Sequence, residues 1–314
     1  MTLIRVAAAF VLLAGAVLGA REASFPPELD QLNALVGDEA KLVDAVRQFD
    51  VLQQALIAWD AEIASEAARG GDTDEVQRRE EAVRARVELL GKAYDALLAH
   101  YPRNARALNY YGEYLCDQKG EMAGAVSMWK KAIAEDPKLS LPHNNLGIYY
   151  THVGEYSRGL ASYNKALELE PDNADFKFNL AQVYLINRPQ VKEEYKWDDA
   201  RLYKEAMKLS KEAADLRPTD YDLAQDYAVN FFAATQMGVE ADWNKAAIAW
   251  QNARARATQL DQVFYTWLNE ARTRLFQGEN QKAAVCLQEA LKMDPNNAVA
   301  KQLLEKAKSA PKAG

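Results

Sequence analysis

The stretch HNNLGIYYTHVGEYSRGLASYNKALELEPDN, residues 143–173, decides the fold of this chain. Gly147 lies where a larger residue would block the contact between two helices. Tyr150 and Tyr163 fall at spacings that suit bulky side chains packed between those helices. Pro171 then ends the second helix, because proline lacks an amide hydrogen and clashes with the preceding turn. The stretch therefore predicts one helix–turn–helix unit.

Prolines recur along the chain at the interval that this unit sets. Pro137 lies 34 residues before Pro171, and Pro102 lies 35 residues before Pro137. Pro218 follows Pro171 by 47 residues, which is 34 plus an insertion of 13, and Pro295 closes the last unit. Because self-similarity at a fixed period is typical of stacked repeats, the chain is predicted to be an array of such units.

Residues at fixed places in the unit carry a family resemblance. Counted from Ser140, these are Leu146, Gly147, Tyr150, Gly159, Tyr163, Ala166 and Pro171 at positions 7, 8, 11, 20, 24, 27 and 32. The pattern resembles the tetratricopeptide repeat (TPR), which has small residues where helix axes approach and bulky apolar residues between them. Similar units begin near Ala105, Ala174, Tyr221 and Phe264. The resemblance implies an all-α fold, a right-handed superhelical solenoid of helix–turn–helix repeats with a long N-terminal helical hairpin.

The domain organisation follows from where the repeats begin and end. Residues 102–296 hold five TPR-like repeats, with an insertion at about 187–199 in the third. Residues 28–101 show apolar residues at helical spacing, interrupted near Asp72, and are predicted to form a hairpin that caps the array. Residues 297–310 are predicted to form a C-terminal capping helix, because the last repeat of an array must present a polar outer face.

Two departures from the repeat pattern carry their own expectations. Tyr195 and Trp197 are aromatic residues in the otherwise charged insertion. They either contact a partner or pack between the helices of a longer third unit. In the fifth unit Arg274 occupies position 11, where the family has a bulky apolar residue, so we expect a weaker first helix there.

The first twenty residues differ in character from the rest. Arg5 precedes a run of uncharged, mostly apolar residues, Val6 to Ala20. At about 1.5 Å per residue this run is short for a bilayer core of about 30 Å. Residues 1–20 are therefore predicted to be a signal peptide or membrane anchor, although Leu18 makes the cleavage site imperfect. We expect an extracytoplasmic protein, periplasmic or secreted, that contacts the membrane only through this segment if it is uncleaved. A buried N-terminal helix is the alternative.

Composition and motifs argue against nucleic-acid binding and against catalysis. The net charge of −7 argues against a general nucleic-acid binder, whose affinity would rest on basic patches. The sequence contains none of the HExxH, CxxC, GxSxG, P-loop or GxGxxG motifs. Cys116 and Cys286 fall in the first and last repeats, too far apart to form a disulfide. We expect no enzyme activity, no cofactor and no metal.

The resemblance also implies where partners bind. In the family, the first helix of each repeat lines the concave face of the array, and position 6 of each repeat lies close to it. The candidate partner-binding residues are Asn145, Asn179, Asp226 and Asn269 at position 6, together with the apolar Phe178, Phe232 and Tyr265. Side-chain amides at one per repeat can hydrogen-bond the backbone of an extended peptide. The alternative is that they bond locally within the repeats. Phe276 is a further apolar residue at a groove position.

These features predict a non-catalytic scaffold or adaptor that binds a peptide segment or partner protein in its concave TPR groove. Two alternatives remain. One is a self-assembling, oligomeric structural component of an envelope complex, in which the repeats associate with another copy. The other is a non-catalytic subunit of an enzyme complex.

Overall fold

The computed structural model describes residue 32 and residues 35–309, and it contains helices but no strand within those ranges. The all-α prediction is confirmed. The predicted signal segment at 1–20 lies outside the described residues, and so does the start of the predicted hairpin.

The helices are numbered here in chain order. The first five are α1 (Glu39–Gly70), α2 (Thr73–His100), α3 (Ala105–Asp117), α4 (Met122–Glu135) and α5 (Leu141–His152). The next five are α6 (Tyr156–Leu169), α7 (Ala174–Ile186), α8 (Arg188–Tyr195), α9 (Asp199–Leu216) and α10 (Tyr221–Asn230). The last five are α11 (Ala233–Met237), α12 (Trp243–Arg254), α13 (Leu260–Phe276), α14 (Asn280–Met293) and α15 (Ala298–Ser309). One compact unit ends at Leu146 and a second begins at Gly147, inside α5.

Local sequence signals set the helix ends. The Asp72 carboxylate accepts a hydrogen bond from the Glu75 amide at 3.0 Å and caps α2. Asn104 does the same for α3, with its Oδ1 2.8 Å from the Ala107 amide. Each such cap is worth about 1 kcal/mol, because it satisfies an amide that has no partner inside the helix. Gly154, at φ 83°, makes the turn between α5 and α6 in a conformation that favours glycine.

In the first unit, α1 and α2 pack along their length as a hairpin. Val46 and Phe49 of α1 and Leu90 of α2 are buried in the contact. Asp60 of α1 is also buried, and its carboxylate accepts hydrogen bonds from Arg79 at 2.9 Å and Arg86 at 2.8 Å. The two arginines stabilise a charge that would be costly to bury alone.

In the second unit, consecutive helices pack on one another in chain order. One apolar cluster contains Tyr163 and Leu202, the next contains Phe231 and Trp250, and a third contains Leu287. The first cluster spans helices of the second and third repeats, and the third joins the fifth repeat to the capping helix α15, so these helix pairs do not bury their apolar faces alone. This is the packing that a stacked array requires.

Glycines at position 8 lie where the helices of a pair approach most closely. A Cβ at Gly147 would lie 2.9 Å from two ring carbons of Tyr163. A Cβ at Gly112, in the first unit, would lie 2.5 Å from Nε1 of Trp129. Both distances are shorter than a van der Waals contact, so only glycine fits without a shift of the aromatic ring.

The insertion in the third repeat forms the short helix α8 and a turn. Tyr195 stacks on Trp197 with ring centroids 4.5 Å apart, and each of these rings forms a T-shaped contact with the ring of Tyr184. Val191 on α8 is fully buried in the same cluster. The insertion aromatics therefore pack between helices, which is the second of the two expectations above.

Arg274 lies between two acidic side chains in the fifth repeat. Helix α13 runs unbroken past this residue. The Arg274 guanidinium lies 3.3 Å from Glu270 and 2.7 Å from Glu279, and Arg254 lies 2.8 Å from Glu270. Ion pairs thus take the place of the apolar contact that the family has at position 11, and the expected weakening of this helix stays a prediction.

Candidate protein-interaction surface

The position-6 residue of the second repeat, Asn145, links the first helices of two neighbouring repeats, which are called inner helices here. Nδ2 of Asn145 on α5 donates to Oδ1 of Asn109 at 3.1 Å and to Oε1 of Glu113 at 3.2 Å, both on α3. Glu113 also lies 3.1 Å from Arg47 of the hairpin. Burial raises the pKa of Glu113, against the effect of this arginine. The side chain of Asn145 thus belongs to a network within the first unit.

Asp226, the position-6 residue of the fourth repeat, has a similar role in the second unit. Its Oδ1 accepts a hydrogen bond from Gln182 of α7 at 2.5 Å. Its Oδ2 accepts from Ser210 of α9 and from Asn230 of α10, each at 2.9 Å. Asp226 therefore joins three helices and has carboxylate contacts within the chain.

The remaining two position-6 residues also interact with the chain itself. Asn269 is only 1% exposed. Its Nδ2 donates to the Tyr265 carbonyl at 2.9 Å, and its Oδ1 accepts from Nη1 of Arg272 at 3.0 Å. Asn179 on α7 is half-buried and is not free either. The backbone of a partner would have to compete with these contacts. The ladder of position-6 side chains, Asn145, Asn179, Asp226 and Asn269, as contacts to a partner's backbone stays a prediction.

The predicted apolar residues lie at different depths. Phe178 packs against Ala174 and Leu223 in a small cluster between repeats. Tyr265 is 36% exposed and meets the Trp250 ring edge-on at 5.7 Å. The three predicted aromatic residues are therefore not one patch, and Tyr265 has the most accessible ring.

An aromatic wall forms around Phe232, the third predicted apolar residue. Its ring centroid lies 6.0 Å from that of Phe276 and 6.1 Å from that of Trp243. Trp243 and Phe276 stack at 4.7 Å with an angle of 10° between their planes. Phe276 remains 54% exposed. Trp243 is absent from the site predicted from the sequence. The turn between the two helices of the fourth repeat is longer than in the repeat pattern, so the repeat numbering does not assign a position to Trp243, which follows that turn.

This wall borders an open pocket of about 490 Å³ on the second unit. Its lining consists of Phe232, Arg272, Leu275, Phe276, Leu303 and Lys306. Pockets of a few hundred Å³ with apolar walls and a few polar groups are typical ligand sites. Sequence reasoning missed Arg272 and Lys306, although Arg272 occupies position 9 of its repeat, one of the groove positions.

Two kinds of chemically reactive group, cysteine thiols and clusters of metal ligands, can be compared with the prediction in the described part of the chain. Burial raises the pKa of Cys116 to about 12 and that of Cys286 to about 11, so both thiols are poor nucleophiles. Both are free, as predicted. Within residues 35–309, no cluster of three or more His, Cys, Asp or Glu residues is arranged to bind a metal ion. The same residues contain no helix that is both long and apolar enough to cross a bilayer.

The geometry defines a helical-repeat protein built from stacked helix–turn–helix units. Models of the TPR repeat and the tetratricopeptide repeat match residues 92–140, 149–186 and 264–297. The chain is 30% identical over 141 residues to the photosystem I assembly protein Ycf3 of Rippkaea orientalis, covering 42% of this chain and 82% of that protein. This chain belongs to the tetratricopeptide repeat family, whose members are protein-interaction scaffolds.

Solved structures share the fold at low sequence identity. A C-terminal part of a TPR protein from Cytophaga hutchinsonii matches with a TM-score of 0.54 and 14% identity, covering 88% of this chain and 99% of that one. YrrB, described as a TPR protein with an unusual peptide-binding site, matches with a TM-score of 0.50 and 17% identity, covering 68% of this chain and 98% of its own. These likenesses confirm the predicted TPR solenoid fold.

Proposed function

We propose that this protein is a non-catalytic scaffold that binds a peptide segment or a partner protein on the inner helices of its repeats. The observation that carries the proposal is the open pocket beside Phe232 and Phe276. An exposed, stacked aromatic surface next to a pocket marks an interaction site, because leaving it in water is unfavourable for a chain that acts alone. Aromatic side chains are also the residues that contribute most binding energy at protein interfaces.

The likeness to a photosystem I assembly protein supports the same proposal. That relative's name states a role in assembly, which requires binding other polypeptides without transforming them. By analogy, the present chain would hold a partner during the construction of a larger complex. The partner of this chain need not be the partner of the relative, because the likeness covers 42% of this chain.

We assign the main partner contacts to the apolar residues Phe232 and Tyr265. Asn145 and Asn179 remain the predicted backbone contacts, with Asp226 and Asn269 as the other members of the ladder. Because Asn145 and Asp226 are already hydrogen-bonded to neighbouring helices, we expect their substitution to affect stability as well as binding.

The test is affinity capture with immobilised protein, followed by identification of the bound polypeptides. The variant Phe232→Ala/Tyr265→Ala should lose a partner that the wild type retains. The matched control is Ile248→Ala on α12, which removes an exposed apolar side chain that lies outside the pocket. Equal capture by all three proteins would contradict the proposal, and a parallel Asn145→Ala/Asn179→Ala variant tests the ladder.

We also propose that the protein acts outside the cytoplasm. The apolar run at 6–20 behind Arg5 supports this proposal. Fusion of residues 1–30 to a reporter enzyme that is active only after export tests it. An inactive fusion, with the reporter present in the cytoplasm, would contradict it.

A further inference from the structure

The pocket on the second unit combines apolar walls with two cations. Leu275 and Phe276 of α13 and Leu303 of α15 supply apolar surface, and Arg272 and Lys306 bring positive charge from the same two helices. The positive charge of this pocket is opposite in sign to the net charge of the whole chain, which is −7. A ligand that complements the pocket must therefore offer both an apolar group and negative charge.

The two cations differ from their neighbours in their ion pairing. Arg254 and Arg274 each contact the buried Glu270 at 2.8 and 3.3 Å. Arg272 and Lys306 form no ion pair with any residue in the described part of the chain. Positive groups beside apolar surface and without a carboxylate partner are available to bind one from another molecule.

Arg272 is also held in place. Its Nη1 donates to Oδ1 of Asn269 at 3.0 Å, and Asn269 is fixed in turn by its bond to the Tyr265 carbonyl. The bond uses one edge of the planar guanidinium, and the other N–H groups can form a paired interaction with a carboxylate. A buried asparagine that orients a cation lowers the entropy lost when a ligand binds. In this pocket Asn269 therefore acts as a positioning residue for Arg272.

The apolar wall beside the pocket consists of three aromatic rings packed together. Phe276 lies flat against Trp243, and Phe232 closes the corner between them. A large aliphatic or aromatic side chain entering the pocket would cover the exposed ring of Phe276. Burial of such a side chain favours binding, because it removes apolar surface from water.

We propose, on the basis of the scaffold function above, that this pocket binds an acidic peptide segment of a partner protein. A large apolar side chain of the segment sits against Phe276 and Leu303, and flanking Asp or Glu carboxylates pair with Arg272 and Lys306. Two cations on separate helices match a segment with more than one carboxylate. A terminal carboxylate by itself supplies only one, and the side chains of an internal acidic segment supply several, so the proposal commits to an internal segment.

The test uses a fluorescently labelled peptide in which one Phe is flanked on each side by two Glu residues, with both termini blocked. Binding is measured by fluorescence anisotropy. We expect the wild type to bind it and the Arg272→Gln/Lys306→Gln variant to bind at least about tenfold more weakly, because the variant loses its charge-assisted hydrogen bonds to the peptide carboxylates. The matched control, Lys301→Gln/Lys308→Gln, removes the same charge from α15 outside the pocket and should bind within about twofold of wild type.

Three further peptides identify the ligand chemistry. Replacing every Glu by Gln should abolish binding, and replacing Phe by Ser should weaken it strongly. A Gln peptide with a free C-terminal carboxylate that binds better than the acidic peptide would overturn the proposal in favour of a chain end. Absence of binding at about 1 mM peptide, or equal loss in both charge variants, would also overturn it. Circular dichroism of each variant shows whether it is folded, and Lys306→Gln alone changes only an exposed residue.

Failure of this proposal is distinguishable from failure of the scaffold function. If the acidic peptide does not bind but Phe232→Ala/Tyr265→Ala still loses its captured partner, the surface is correct and the ligand chemistry is wrong. If neither effect occurs, the scaffold function itself fails.

Discussion

A methyl group added at Gly147 tests the packing of the repeat directly. In Gly147→Ala the new Cβ would lie 2.9, 2.9 and 3.0 Å from three ring carbons of Tyr163. That ring is 2% exposed, so it has little room to move away. Overpacking of this kind costs about 1–3 kcal/mol. Alanine also favours the helix over glycine by about 0.5–1 kcal/mol, so the middle of the two ranges gives a net loss of unfolding free energy of about 1 kcal/mol.

The matched control is Gly70→Ala at the end of α1. A Cβ there would meet no atom within 4 Å, so the helix preference of alanine is not opposed. Urea denaturation followed by circular dichroism should show Gly147→Ala less stable than wild type and Gly70→Ala equal or slightly more stable. If Gly147→Ala were as stable as wild type, the close helix approach at position 8 would be refuted.

Three further predictions concern buried groups. Burial raises the pKa of Glu113 above 4.5, so the stability that it contributes is complete below pH 4.5 and is lost as pH rises through the raised value. Urea denaturation at a series of pH values from 4.5 upwards should show this fall in unfolding free energy for the wild type and not for Glu113→Gln. Parallel plots of unfolding free energy against pH for the two proteins would contradict the prediction. Glu270→Ala leaves Arg254 and Arg274 without their shared buried partner and should cost about 3–5 kcal/mol, and a loss below about 1 kcal/mol would argue against the ion network. With a pKa of about 11, about one in a thousand Cys286 thiols is ionised at pH 8, so a thiol reagent should label it only on unfolding. Rapid labelling of the native protein would show that the thiol is accessible.

Much of the fold is predictable because it depends on short-range patterns. Pro171 and its equivalents mark helix ends, and Asp72 caps a helix through its own backbone neighbours. The contact of Gly147 with Tyr163 follows from the repeat numbering, since both positions are fixed by a known helix-pair geometry. Such signals need only the local sequence and the period.

The candidate site is less predictable because it depends on side-chain partners from distant segments. The numbering places Asn145 and Asp226 correctly on inner helices, but their partners Glu113 and Gln182 belong to other repeats. A side-chain amide bonds whichever group lies within about 3 Å, and the period does not specify that group.

The residues that line the pocket were also only partly predictable from the repeat pattern. Phe276 can be assigned to a groove position from the sequence, whereas Lys306 comes from the capping helix, where the repeat pattern has ended. Arg274 gives the converse case. It breaks the pattern of its repeat, yet the helix persists because Glu270 and Glu279 lie within ion-pair distance.

Site-specific photo-cross-linking in the native cell tests the central claim most directly. A photoreactive amino acid replaces Phe276, which lines the pocket, or Val285 of α14, which is similarly exposed but lines no part of it. A scaffold that holds its partner on the inner helices should give a discrete cross-linked species from position 276 and none from position 285. Cross-links from 285 alone, or from neither position in cells that contain the protein, would contradict the account.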